Sequence, residues 1–390
     1  LSIAAFSGLI FSYSVMYLLL LVGVETGQWS MWQVILGFTG IAGILLSVIL
    51  IYPIQTIKMT FFDRQREELV LSARTLKDPG MLGMSMAAFV LLIMGAPLII
   101  VASAILLALY GILPLGWIGW ATDPVVFQFV FYIFAHNLME AMAIMVISAL
   151  YATLPLYLAD GTRKLYSDKM ANLALWILLL TSVTSFFHHF FTMFPALPEA
   201  LSYHGNIMSW GTGIGAALTI FTISATIWTH GIRPEPGLIA VLMGFTLYIL
   251  DGVSAVVTSN VAWSFKLHGT MWQSGHTMSV LIAMALMWLG VLIHHYPVIT
   301  GRQIDIRMGH WFTAFYTIGA LGISWSFLAA GAAGMPRRYG NWYEEGWINY
   351  GYSILFFGLM LVTSFVFLAL CFRRSRELAP LATPGTAPAE

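Results

Sequence analysis

Long apolar runs, broken by short polar punctuation, dominate this sequence. They lie at about 2–23, 31–57, 83–110, 124–157, 171–192, 204–231, 236–260, 268–296, 309–333 and 347–372, each bounded by Pro, Gly or clustered charge. A helix needs roughly 20 apolar residues to cross a hydrocarbon core, so the pattern predicts an all-α, polytopic transmembrane bundle of about ten helices. None of the runs alternates with the ten-residue period of an outer-membrane barrel strand, and no repeat of about 20–50 residues is visible. The transmembrane domain is predicted over residues 1–377. Residues 378–390, rich in Pro, Ala and Thr, predict a disordered tail. Leu1 already lies in an apolar, helix-like stretch without the basic start of a cleavable signal, so further sequence is expected upstream.

Composition narrows the class. Side chains are 59% hydrophobic and 9% charged with a net charge of zero, whereas soluble domains average roughly 25% charged. Most of the surface therefore faces lipid. A nucleic-acid partner would need a basic face, and an intrinsically disordered chain would need low hydrophobicity. The lone Cys371 excludes a disulfide framework, a two-thiolate metal site and a heme attached through paired cysteines.

The few charges give an orientation, because cytoplasmic loops retain Lys and Arg. Lys58, Arg64, Arg66, Arg74, Lys77, Arg163, Lys164, Lys169, Arg233, Arg302, Arg307, Arg373, Arg374 and Arg376 all follow even-numbered spans or the last one. The opposite side holds only Lys266, Arg337 and Arg338, with Glu25, Asp123, Glu199, Glu344 and Glu345. Both chain ends are predicted cytoplasmic, and the adjacent Arg337–Arg338 pair is the exception that needs its own explanation.

Ionisable groups inside a bilayer are expensive, and they usually line a cavity, a cofactor or a proton route. His230, His294, His295 and His310 fall at cytoplasmic helix ends, where headgroups or loop carbonyls are in reach. His136, His188, His189 and His276 fall instead in the outer half of the membrane, on three different spans, at the 1.5 Å rise of a helix. Converging imidazoles of this kind point to a metal or heme site, since imidazole suits copper, iron and zinc and is a common axial heme ligand. Glu140 lies four residues after His136 and shares its helix face. Such a carboxylate is a ligand or a proton carrier, or else a neutral group hydrogen-bonded between helices. Asp251, in the seventh span, reads as a cap or a polar packing residue.

The blocks Phe186-Phe187-His188-His189, Leu267-His268 through Gly275-His276, and Gly334-Met335-Pro336-Arg337-Arg338-Tyr339 resemble the catalytic subunit, subunit I, of the heme-copper oxidase superfamily. That superfamily includes cytochrome c oxidases, quinol oxidases and nitric oxide reductases. The resemblance runs from about residue 124 to 372 and implies a core lacking the family's first two helices. It implies that His136, His188 and His189 hold the non-heme metal and that His276 is the proximal ligand of a high-spin heme. Arg337 and Arg338 would pair with heme propionates, although a plain loop charge is the alternative; His268 would lie near the same propionates.

Two departures bear on the activity. Where oxygen-reducing members carry a tyrosine one turn after the first metal-binding histidine, this chain has Glu140, which is similar to nitric oxide reductases and suits iron better than copper. Glu140 would ligate the metal or deliver protons; Tyr132, four residues before His136, offers a displaced phenol. The family's low-spin heme ligands are also missing. His276-Thr277-Met278 replaces His-x-His, so either that heme is lost or Met278 ligates it with a helix from elsewhere; Met278 as simple packing is the third reading.

The resemblance thus implies a respiratory reductase of nitric oxide in a bacterial or archaeal cytoplasmic membrane. An oxygen-reducing terminal oxidase, and a non-catalytic heme-binding or assembly subunit, stand as alternatives. Electrons would come from a cytochrome c or copper subunit on the outer face, or from quinol. Lys is absent from the spans, which favours protons arriving from outside without pumping.

Overall fold

In a computed structural model, the described residues are 77–191, 198–337 and 345–377, with shorter pieces between 39 and 69. Among them, eight helices are long and apolar enough to cross a membrane. They are α1 (Pro79–Leu109), α2 (Pro124–Thr153), α3 (Asp168–Ser185), α4 (Glu199–His230), α5 (Pro236–Ser259), α6 (Met271–Thr300), α7 (Ile306–Ala332) and α8 (Glu345–Arg373). These match the third to tenth predicted spans. The first span, most of the second and the 378–390 tail lie outside the described residues.

Polar residues at the run boundaries start the helices. Asp78 accepts from Met81 N at 3.0 Å with Pro79 opening α1, and Asp123 accepts from Val125 N at 2.8 Å with Pro124 opening α2. Asp305 caps α7 through Met308 N at 3.1 Å. Gly301, in the left-handed region at φ 67°, ends α6. One boundary differs from expectation. The eighth span was predicted from 268, but a short helix Val261–Leu267 ends at His268, and Thr270 accepts from Trp272 N at 3.2 Å to start α6 at Met271. His276 therefore sits on the second turn of its helix.

Two compact units are present, one of residues 1–152 and 164–229, the other of 153–163 and 230–390. In the first, small residues bring the backbones together: a Cβ on Gly215 of α4 would lie 2.7 Å from Leu178 of α3. Tyr151 of α2 donates to Thr219 of α4 at 3.0 Å. In the second, Gly244 of α5 abuts Ala283 and Met287 of α6, and Gly290 of α6 abuts Val241 of α5. The α6–α7 seam is closed by the fully buried Phe312 and by Tyr316, whose hydroxyl donates to the Ile282 carbonyl at 3.0 Å. On α8, Leu355, Leu359 and Val362 are 58–64% exposed, an apolar face of the kind that lipid covers. Among the described residues the only ladders are two residues long, Phe62–Asp63 with Glu68–Leu69 and Arg302–Gln303 with Arg376–Glu377.

Candidate functional site

In the first unit, three of the predicted ligands meet. His136 comes from α2. His188 and His189 come from a 3-10 turn, Phe186–Phe190, that continues α3. Three residues per turn is tighter than an α-helix, and the turn is anchored by Phe186 and Phe190, both buried. Phe190 also lies 4.3 Å from Phe129 between ring centres. The His136 ring centre is 5.0 Å from that of His188 and 5.4 Å from that of His189, and the pair are 4.3 Å apart. One nitrogen from each of the three lies within 4.8 Å of the others.

Neighbours fix these rings. Asn137, buried next to His136, donates to the carbonyls of Ile133 at 2.7 Å and Val183 at 3.1 Å, which ties α2 to α3 at this level. Ser185 Oγ is 3.3 Å from His136 Nε2. Ser209 Oγ of α4 donates to the Gly205 carbonyl at 2.6 Å, so its oxygen accepts from His188 Nδ1 at 2.9 Å. That leaves His188 Nε2 with its lone pair, the form an imidazole needs to ligate. Gly205 makes this possible: a Cβ there would lie 2.8 Å from His188 N. Glu140 Oε1 is 3.8 Å from His136 Nε2, with its side chain 21% exposed. Tyr132 stacks on His189 at 4.6 Å between ring centres. The donor set is thus three nitrogens and an adjacent hard oxygen, which a first-row transition metal accepts.

In the second unit His276 has a different environment. Its Nδ1 lies 2.9 Å from Asp251 Oδ2 and 3.3 Å from Ser254 Oγ, both on α5. Ser254 Oγ is also 2.8 Å from Asp251 Oδ1. A carboxylate only accepts, so Nδ1 carries the proton and the lone pair lies on Nε2, as an axial iron ligand requires. Trp272, one turn earlier on α6, has a buried indole N–H with no hydrogen-bond partner, a donor suited to an acidic group on a cofactor. These features fit a heme. Met278, two residues on and roughly 200° round the helix, is 41% exposed.

The loop before α6 is pinned to the end of α7. Met271 N donates to Met335 O at 2.8 Å and Arg337 N to Gly269 O at 3.1 Å, so His268 and Arg337 belong to one paired segment. Arg338 lies outside the described residues. Of the histidines predicted at cytoplasmic helix ends, His230 Nδ1 is 2.6 Å from Asp160 Oδ2, and His294 Nδ1 is 2.6 Å from the Tyr157 hydroxyl.

Sequence reasoning missed Asp251 as the partner of His276, and Ser209 as that of His188. The first left a signal, a carboxylate within a span; a serine in a helix leaves none.

Residues 1–370 match the family described as cytochrome c and quinol oxidase polypeptide I. Cytochrome c oxidase subunit 1 of Thermus thermophilus is 26% identical over 240 residues, covering 55% of this chain and 41% of that protein. Quinol oxidase subunit 1 of Bacillus subtilis is 26% identical over 202 residues, covering 50% and 30%. The chain thus spans about two fifths or less of the length of these curated relatives. The fold is similar to that of a heme-copper terminal oxidase dimer solved by cryo-EM, with a TM-score of 0.74 at 19% identity, covering 98% of this chain and 70% of that one.

Proposed function

This chain belongs to the cytochrome c and quinol oxidase polypeptide I family, and on that premise we propose that it is the membrane-embedded catalytic subunit of a respiratory reductase of nitric oxide. The observation that carries the reading is the meeting of His136, His188 and His189 within 4.8 Å, with Glu140 Oε1 at 3.8 Å from His136 Nε2. In this reading the three imidazoles hold a non-heme metal, iron rather than copper because of the adjacent carboxylate, and His276 holds a high-spin heme. The resemblance would assign His268, Arg337 and Arg338 to the heme propionates. When bound, the two metals supply electrons and Lewis acidity to the reaction 2 NO + 2 electrons + 2 protons giving nitrous oxide and water.

The chain's own residues position and protonate. Ser209 orients His188, Asp251 orients His276, and the part-exposed Glu140 carboxylate holds a proton beside the reacting nitrogens and releases it there. With the chain ends in the cytoplasm, as the charge bias of the sequence predicts, electrons would arrive from a cytochrome c or copper subunit on the outer face. Quinol is the other donor class. A low-spin heme on Met278 would need a further ligand from outside the described residues.

The second reading, reduction of oxygen, has its own support: the relatives are named as oxidases, and the Tyr132 phenol stacks on His189. Metal and heme analysis of the purified protein, with turnover measured on NO and on oxygen, separates the two. Glu140→Gln is expected to lower NO turnover by about 10²-fold or more at unchanged heme content. Unchanged turnover removes Glu140 from the mechanism, and a protein without heme refutes the catalytic reading.

A further inference from the structure

We propose that Asp251 is a positioning residue that sets the donor strength of His276, and through it the reduction potential of the iron this imidazole holds. The inference rests on the reading above, in which His276 takes a heme iron. A carboxylate in a membrane span is expensive, and α5 carries no Lys or Arg to offset it. Yet Asp251 is only 5% exposed, and its side chain is committed. Oδ2 takes the Nδ1 proton of His276 at 2.9 Å, and Oδ1 lies 2.8 Å from Ser254 Oγ. The close glycine contacts of Gly244 and Gly290 hold α5 against α6, so the carboxylate is fixed relative to the ring.

The physical effect follows from charge. A carboxylate behind an imidazole raises the basicity of the opposite nitrogen and orients the ring. A stronger, partly anionic donor favours the iron state with the higher positive charge. Asp251 therefore stabilises ferric over ferrous iron and lowers the potential. Ser254 acts in the opposite sense, because its hydroxyl withdraws negative charge from Oδ1.

Redox titration and resonance Raman spectroscopy of the purified full chain test this without reference to turnover. Asp251→Asn keeps an acceptor and the shape but removes the charge. It is expected to shift the ferric-to-ferrous preference about tenfold, an upward shift of about 59 mV for one electron, and to lower the ferrous iron–histidine stretching frequency. Ser254→Ala is expected to shift the potential in the other direction by a smaller amount. Heme bound at normal content with both signals unchanged in Asp251→Asn overturns the inference. If that variant does not fold, Ser254→Ala decides: a downward shift supports the proposal and no shift overturns it. His276→Ala tests the premise separately, since heme content unaffected by that substitution refutes the assignment of His276 and not merely the role of Asp251.

Discussion

The two units solve the problem of placing imidazoles in a membrane in opposite ways. In one, three rings gather with hydroxyls as their neighbours, Ser209 at 2.9 Å from His188 and Ser185 at 3.3 Å from His136. In the other, one ring stands against a carboxylate, Asp251 at 2.9 Å. Neutral hydroxyls orient rings without adding charge, and the carboxylate beside this cluster, Glu140, stands off at 3.8 Å from His136 Nε2. In the proposed reading His276 is a single axial donor without companions, and the buried Asp251 would strengthen it instead. Number of ligands and charge behind the ligand are alternative means to the same end.

Removing ligands should break this contrast most severely. His188→Ala with His189→Ala is expected to abolish stoichiometric non-heme metal, measured by elemental analysis, while heme content stays at its wild-type level. Loss of both together would show that the two stations are not independent. A subtler change sharpens the hydroxyl side of the comparison. Ser209→Ala removes the acceptor at His188 Nδ1 and is expected to weaken metal retention about 10-fold, read as residual metal after dialysis against a chelator; retention equal to wild type would leave Ser209 without an orienting role.

The smallest effect concerns a further histidine, His230, whose carboxylate partner lies outside the spans. Asp160 Oδ2 meets His230 Nδ1 at 2.6 Å on the surface. Its carboxyl is held below the usual range first by the Thr162 backbone N–H and then by His230. A depressed carboxylate contributes stability that is present above the ordinary Asp value of about 3.9 and is lost as pH falls through its lower folded value. Because the group is exposed to solvent, the contribution is slight. Asp160→Asn is expected to flatten the acid limb of a thermal-stability profile a little below about pH 4 and to leave heme spectra untouched. An unchanged acid limb would mean that the pair has no measurable weight.

Helix positions were legible because lipid selects length and apolarity, and α1 to α8 follow the predicted runs closely. That His136, His188 and His189 stand at one height along their helices was legible too, since rise per residue converts sequence into height. Rotation was not. A soluble helix announces its buried face by alternating with a polar one, but α5 is apolar toward both protein and lipid, so nothing in its pattern aims Asp251 at His276. The 3-10 winding at Phe186–Phe190 and the hydroxyl partner Ser209 are hidden for the same reason: they depend on which faces meet.

Gly205 carries a consequence for biogenesis. His188 is seated against the backbone of α4, so the metal-holding geometry is complete only once α4 has docked. Gly205 follows His136 by 69 residues, a lag of roughly 3 to 14 s at about 5–20 residues per second of synthesis. For that interval the newborn chain holds incomplete ligands in the bilayer. The close approach at Gly205 thus makes the seating of His188 a late step of synthesis, one that waits for α4.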